Sequence, residues 1–241
     1  MKKYIPNTIT CLNLVSGCIA CVIALNNNYL WAFIFIIIGA VFDFFDGFAA
    51  RLLKAYSNIG KELDSLADVV TFGVAPGMIV YVFLRNTALG NLPSSFIYLA
   101  LLAFLIPVFS ALRLAKFNVD DRQTSSFIGL PTPADALFWG SLIYTLPHLY
   151  LDISPLYKLI GVILCIFLFS YLMISEIPMF SLKFKNYGWK GNESRYILIA
   201  IAIALLAIFK LSGISVIIII YVLMSLLTPK SPKGDLECKR P

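Results

Sequence analysis

Stretches of about 20 mostly apolar residues, each long enough for a helix to cross a bilayer, recur along this chain and limit its fold more than any motif does. About eight can be placed, over 8–25, 30–50, 64–84, 96–115, 133–151, 157–177, 196–211 and 214–228. Of the 241 residues, 60% are hydrophobic and 13% charged, and mean hydropathy is +0.87. A soluble domain carries about a quarter charged residues. The sequence therefore predicts an all-α, polytopic membrane helical bundle. Disordered, collagenous, disulfide-framework and nucleic-acid-arm classes are excluded, since each needs a composition absent here.

The net charge of +6 reads as topology. With the N-terminus inside, 16 of the 19 basic residues fall on the cytoplasmic side and only Arg85, Lys158 and Lys210 fall outside. The positive-inside rule then predicts an N-in, C-in chain with an even number of spans. The first apolar stretch lacks a small-residue cleavage site and is read as an uncleaved helix. The last two spans are joined only by Lys210 to Gly213, which suits either a tight helical hairpin or two short tilted spans. After Thr228 comes a flexible, basic tail, suited to contact with anionic headgroups or simply disordered. Five cysteines, an odd number spread over helices and tail, give no disulfide scheme. Cys18 and Cys21 lie inside a span and read as small packing residues.

Between residues 41 and 77 lie five of the chain's 13 acids, Asp43, Asp46, Glu62, Asp64 and Asp68. A carboxylate at the bilayer centre costs at least about 2.5 kcal/mol, so these residues demand compensation. Asp43 and Asp46 are spaced i, i+3 and Asp64 and Asp68 i, i+4, which puts each pair on one helix face. The short connection at 54–59 folds the two helices antiparallel, so four carboxylates converge near the cytoplasmic surface. Gly47, Ala50 and Gly60 leave room beside them. Four carboxylates cannot all stay ionised in a dry site without cations. Oxygen ligands without His or Cys favour a hard ion, Mg²⁺ or Mn²⁺, and four acids can bridge two. Metals and Arg51 beside a small-residue cavity suit a diphosphate, hence phosphoryl transfer at the membrane surface. The structural alternative pairs these acids with Arg51, Lys54 and Lys61 at the helix ends, leaving Asp43 and Asp46 unexplained.

In order, the segment reads Asp43-x2-Asp46-Gly47-x2-Ala50-Arg51-x8-Gly60-x3-Asp64-x3-Asp68, which resembles at every position the signature of the CDP-alcohol phosphatidyltransferases. The resemblance implies a six-helix membrane core that displaces CMP from a CDP-linked lipid with an alcohol acceptor and divalent metal. It makes Asp43, Asp46, Asp64 and Asp68 metal ligands and Asp68 also the base for the acceptor hydroxyl. Gly47, Ala50 and Arg51 then meet the cytidine diphosphate and Gly60 leaves space for the nucleotide. On that basis residues 1–180 are the catalytic core, 181–228 two additional C-terminal helices and 229–241 the tail.

Three further stretches, around Asp68–Pro76, Ala111–Asn118 and Phe127–Ala134, are similar to the integral-membrane phosphatidylserine synthase branch of the family. This implies CDP-diacylglycerol and L-serine as substrates, the cell membrane as location, a cytoplasm-facing site and a possible homodimer. Serine's carboxylate needs a cation, which Arg113 and Lys116 supply, with Asn118 beyond them; ordinary positive-inside anchoring explains both equally. Thr71 faces the same cavity or bonds its own helix backbone. Pro76 and Gly77 kink the third helix. Asn7 lies near the nucleotide or caps the first helix. The only histidine, His148, reads as a solvated loop residue on the opposite face, as do Asp120, Asp121 and Arg122 in their own loop. Two rival readings are a cation transporter and a membrane prenyltransferase. The second needs two Asp-rich motifs, and one is found. Another acceptor alcohol, such as glycerol 3-phosphate or inositol phosphate, is the alternative within the family.

Overall fold

The computed structural model describes residues 4–88, 94–120, 127–149, 154–179, 188 and 192–227. Among the described residues the regular structure is helical apart from one two-residue antiparallel ladder. Helix α1 (Tyr4–Leu25) and α2 (Tyr29–Leu52) pack side by side along their lengths. The turn between them ends at Asn28, whose side chain accepts from the Trp31 N–H as an N-cap. A second reversal, with Lys54 at positive φ, leads into α3 (Asn58–Asp68). Ser57 caps that helix by accepting from the Gly60 N–H at 3.0 Å.

Helix α3 does not stop at its acids. It widens into a π-helical segment, Val69–Val74, and continues as α4 (Ala75–Phe83). The irregularity expected around Pro76 thus lies N-terminal to the proline, which occupies the first turn of α4, where its missing N–H costs least. Gly77 serves close packing: a Cβ there would come within 2.9 Å of Pro107 Cδ. A 3₁₀ stretch, Ser94–Phe104, leads into α5 (Leu105–Val119). Helices α6 (Thr132–Thr145) and α7 (Pro155–Ile174) follow, then α8 (Glu193–Phe209) and α9 (Gly213–Leu227). The ladder pairs β1 (Phe127–Ile128) with β2 (Pro178–Met179). Gly129, at φ 75°, presses on the last carbonyls of α7, a contact that leaves no room for a Cβ.

Among the described residues, six helical stretches are long and apolar enough to cross a membrane: Tyr4–Leu25, Tyr29–Leu52, Asn58–Asn86, Phe96–Val119, Pro155–Ile174 and Glu193–Leu227. This is a multi-pass membrane protein. The expected span over 133–151 corresponds to α6 and a 3₁₀ turn ending at His148, a shorter helix than those six. Within Glu193–Leu227 the chain breaks at Lys210, which takes φ 52°, and turns through Lys210–Ser212. Gly213 then lies against the Leu205 carbonyl, 2.8 Å from where its Cβ would be. Of the two readings of this region, the structure has the hairpin.

The core is built around α4 and α6. Phe72, Ile79, Phe83, Trp139 and Ile143 are among its buried side chains, and Phe138 stacks on Phe169 of α7. Exposed Leu, Ile and Phe side chains cover α2, α7 and α8, as expected where the surrounding solvent is lipid.

Candidate active site

Helix α2 carries Asp43 and Asp46 in its last three turns and α3 carries Asp64 and Asp68, and the tight turn between them brings both pairs together. Oxygens of Asp43, Asp64 and Asp68 all lie within 4.8 Å of one another. These three are partly buried, and Asp46 is buried. Among the described residues no Lys or Arg is within ion-pairing distance of any of the four. The helix-end ion pairs of the structural alternative are therefore absent: Arg51 donates from Nε to the Gly47 carbonyl at 2.9 Å, and Lys61 reaches the Asn118 carbonyl at 3.5 Å. Asp64 Oδ1 is buried with no hydrogen-bond partner, a costly state for a carboxylate oxygen. An all-oxygen set with an orphaned, inward-facing oxygen fits a hard divalent cation, and this cluster could hold one.

Asp46 stands slightly apart from that trio. It accepts from Thr10 Oγ1 of α1 at 2.6 Å, while remaining within electrostatic reach of Asp64 and Asp68. Asn13, one turn further along α1, donates from Nδ2 to Asp68 Oδ1 at 3.2 Å. Thr10 and Asn13 thus hold two of the acids from α1, and neither is in the acidic motif. The available signal was a polar stripe, Asn7, Thr10, Asn13 and Gly17, spaced three or four apart in an otherwise apolar helix. It places α1 as the third wall of the site.

Asn7 is inside α1, which begins at Tyr4, so it is no N-cap. It faces Gly60, where a Cβ would come within 3.0 Å of Asn7 Oδ1. Gly47 is open, with only the Arg51 guanidinium near its missing Cβ. Arg51 is exposed and Ala50 half-buried, both on the rim of the cluster. Two grooves run along the helices that carry the acids, and none of the four aspartates lines either. One of about 420 Å³, wholly apolar, is lined by Ile5, Ile9, Phe42, Phe45, Phe48 and Leu52; the other, about 410 Å³, runs between α3 and α5 past Lys61, Ser65, Ala111 and Asn118.

The residues expected at an acceptor site separate. Arg113 of α5 is only 6% exposed, with Nε and Nη2 unpartnered. Its guanidinium lies 5.0 Å from the Phe117 ring centroid and within electrostatic reach of Asp68. Lys116 points elsewhere, to the Ile174 carbonyl at 3.4 Å and Glu176 at 3.6 Å. Asn118 donates to Ser65 Oγ at 2.8 Å, tying α5 to α3. Thr71 is fully buried. Its hydroxyl donates to the Asn13 carbonyl of α1 at 2.9 Å, and its side chain fills the notch between Gly17 and Gly39. That is a helix-packing role, with neither a free hydroxyl nor a bond to its own helix. His148 is exposed beside Tyr144, at the far end of α6. Asp121, Arg122 and the tail 229–241 lie outside the described residues. A buried acid that the sequence analysis passed over, Asp135 of α6, also has unpartnered oxygens.

Membrane helices here gather three carboxylates into a cluster that could hold a metal ion. A family model described as CDP-alcohol phosphatidyltransferase matches residues 3–170, and the chain belongs to that family of enzymes. It is 42% identical over 192 residues to a CDP-diacylglycerol–serine O-phosphatidyltransferase of Bacillus subtilis, covering 80% of this chain and 97% of the relative. A protein of the same description from Helicobacter pylori (strain J99) is 30% identical over 225 residues, covering 92% of this chain and 89% of the relative. One from Methanocaldococcus jannaschii is 36% identical over 173 residues, 72% of each chain.

Proposed function

We propose that this protein is a CDP-diacylglycerol–serine O-phosphatidyltransferase, which forms phosphatidylserine and CMP. The observation that carries the reading is the convergence of Asp43, Asp64 and Asp68 inside the bundle without a balancing cation, in a chain whose relatives bear that description. Asp43, Asp46, Asp64 and Asp68 hold Mg²⁺ or Mn²⁺, two ions when fully loaded. When bound, the metal supplies charge neutralisation at the diphosphate.

The remaining chemistry belongs to this chain's own side chains. Arg51, released from the Gly47 carbonyl, pairs with the cytidine diphosphate, and Gly47, Ala50, Gly60 and Asn7 leave and border the space for the nucleotide. The apolar groove between α1 and α2 accepts lipid chains from the leaflet. Arg113 receives the serine carboxylate, with Lys116 and Asn118 holding the end of α5 in place and Thr71 holding α1 against the site. Asp68 takes the proton of the serine hydroxyl as its oxygen bonds to the lipid-side phosphorus; the bond from that phosphorus to the CMP oxygen breaks, and CMP leaves.

The active site faces the cytoplasm of the cell membrane in an N-in, C-in chain of eight helices. Residues 1–180 are the catalytic core and 181–228 two added helices, and the family resemblance favours a homodimer. The testing experiment is CMP release by the purified protein in detergent with CDP-diacylglycerol and Mg²⁺ or Mn²⁺. Serine, glycerol 3-phosphate, inositol phosphate and no acceptor are compared. Release that requires serine is expected. Release with a different acceptor keeps the acid site and overturns the serine assignment, and no release from folded protein overturns the transferase reading.

A further inference from the structure

Helix α5 offers an acceptor two cations, and the structure commits only one of them elsewhere. Lys116 meets Glu176 at 3.6 Å and the Ile174 carbonyl at 3.4 Å. Arg113 is buried, its Nε and Nη2 have no hydrogen-bond partner, and no carboxylate among the described residues lies within ion-pairing distance. What it does touch is an aromatic face: Arg113 Cζ lies over the Phe117 ring, 5.0 Å from its centroid. The two residues are four apart in α5 and so share a helix face. That stretch of α5 is fixed on both sides of Arg113. Before it, Ser110 presses on Gly73 of the π segment, where a Cβ would come within 3.0 Å of Ser110 Cβ. Beyond it, Asn118 donates to the Oγ of Ser65, the residue after Asp64 in α3.

A buried guanidinium needs compensation. A carboxylate at position 117 would supply it as an ion pair, and would occupy the fork of N–H donors that recognises planar anions. An aromatic ring attracts the cation through its face and consumes no donor. We infer that Phe117 is a positioning residue for the acceptor site: it holds the Arg113 guanidinium by its face and leaves the N–H edge for bidentate capture of an α-amino acid's carboxylate. This rests on the reading of Arg113 as the acceptor's cation. It makes the carboxylate, and not only the hydroxyl that reacts, a feature by which the acceptor is chosen.

The test is steady-state CMP release by the full chain in detergent with CDP-diacylglycerol, using L-serine or L-serinamide, which keeps the hydroxyl and the amine and has no carboxylate. Wild type, Arg113→Lys, Phe117→Leu, Phe117→Met and Phe117→Tyr are compared. Phe117→Leu and Phe117→Met are expected to raise the serine KM about fivefold, the scale of a desolvated cation–π contact. kcat and the CDP-lipid KM should stay within about twofold, since those steps do not use the contact. The preference in kcat/KM for serine over serinamide should fall by the same factor as serine binding, and Phe117→Tyr, which keeps the ring, should restore it. A packing role alone would lower turnover of both acceptors equally. An unchanged preference in whichever of Phe117→Leu and Phe117→Met folds, an equal loss for the two acceptors, or no restoration by Phe117→Tyr overturns the inference, while a lowered preference in Arg113→Lys keeps the reading of Arg113. An unchanged preference in Arg113→Lys, or a wild type that uses both acceptors equally, overturns that reading and this inference with it.

Discussion

Each acidic residue of the site has a different neighbourhood, and the neighbourhood sets what its removal should do. Asp64 has a buried oxygen with no protein partner, so a cation is its natural complement. Mn²⁺ is expected to raise the Tm of the wild type in detergent, and Asp64→Asn and Asp43→Asn are expected to abolish that rise and to lower activity by more than about 100-fold. Excess metal should restore neither. Wild-type turnover in either variant would remove that residue from the metal site. The Thr10 hydroxyl is shared between Asp46, at 2.6 Å, and the Pro6 carbonyl of its own helix, at 3.1 Å. Replacement of Thr10 by Val should cost about 10-fold, in the range of partners that orient a metal ligand.

Glycines decide how closely the helices approach. Thr71 is wedged between Gly17 of α1 and Gly39 of α2, with a Cβ at Gly17 only 2.5 Å from Thr71 Oγ1. Elsewhere in a helix, Gly→Ala stabilises by about 0.5–1 kcal/mol. Overpacking costs about 1–3 kcal/mol, so the sign of the change reports the contact. Gly39→Ala should lower Tm in detergent, whereas Gly161→Ala in α7, with nothing within 4 Å of its missing Cβ, should raise it. A stabilising Gly39→Ala would contradict the packing of α1, α2 and the π segment around Thr71. That packing also aims Asn13 at Asp68, so Gly39→Ala is expected to lower activity as well. The π turn at Val69–Val74 belongs to the same arrangement: it lies between the acids of α3 and Pro76, and it presents Thr71 to α1.

Across the whole molecule, the acids lie toward one end of the bundle. If the basic residues mark the cytoplasmic side, the turn at Lys54–Ser57 is inside and the turn at Asn26–Asn28 outside. In a cysteine-free background, Asn26→Cys should react with a membrane-impermeant maleimide on intact cells and Lys54→Cys only after lysis. The opposite pattern would invert the bundle and its site.

Much of this organisation is local in origin and was legible in the sequence. Apolar runs as long as a bilayer is thick dictate membrane helices, because unpaired backbone groups are not tolerated in hydrocarbon. The spacing of Asp43, Asp46, Asp64 and Asp68 places them on single helix faces, and a short turn makes the two faces meet. Which other helices close the site is not a local property. Apart from the polar stripe of α1, these helices are largely apolar on every face, and lipid is as apolar as the protein core, so hydropathy does not mark the face each presents to its neighbours. Tertiary packing alone set Thr10 on Asp46, Asn13 on Asp68 and Thr71 between two glycines, and turned Lys116 toward the end of α7. The acids and the membrane around them follow from composition and spacing, because periodicity and run length act over a few turns. The side chains that hold those acids follow from the packed bundle, because they depend on contacts between helices far apart in sequence.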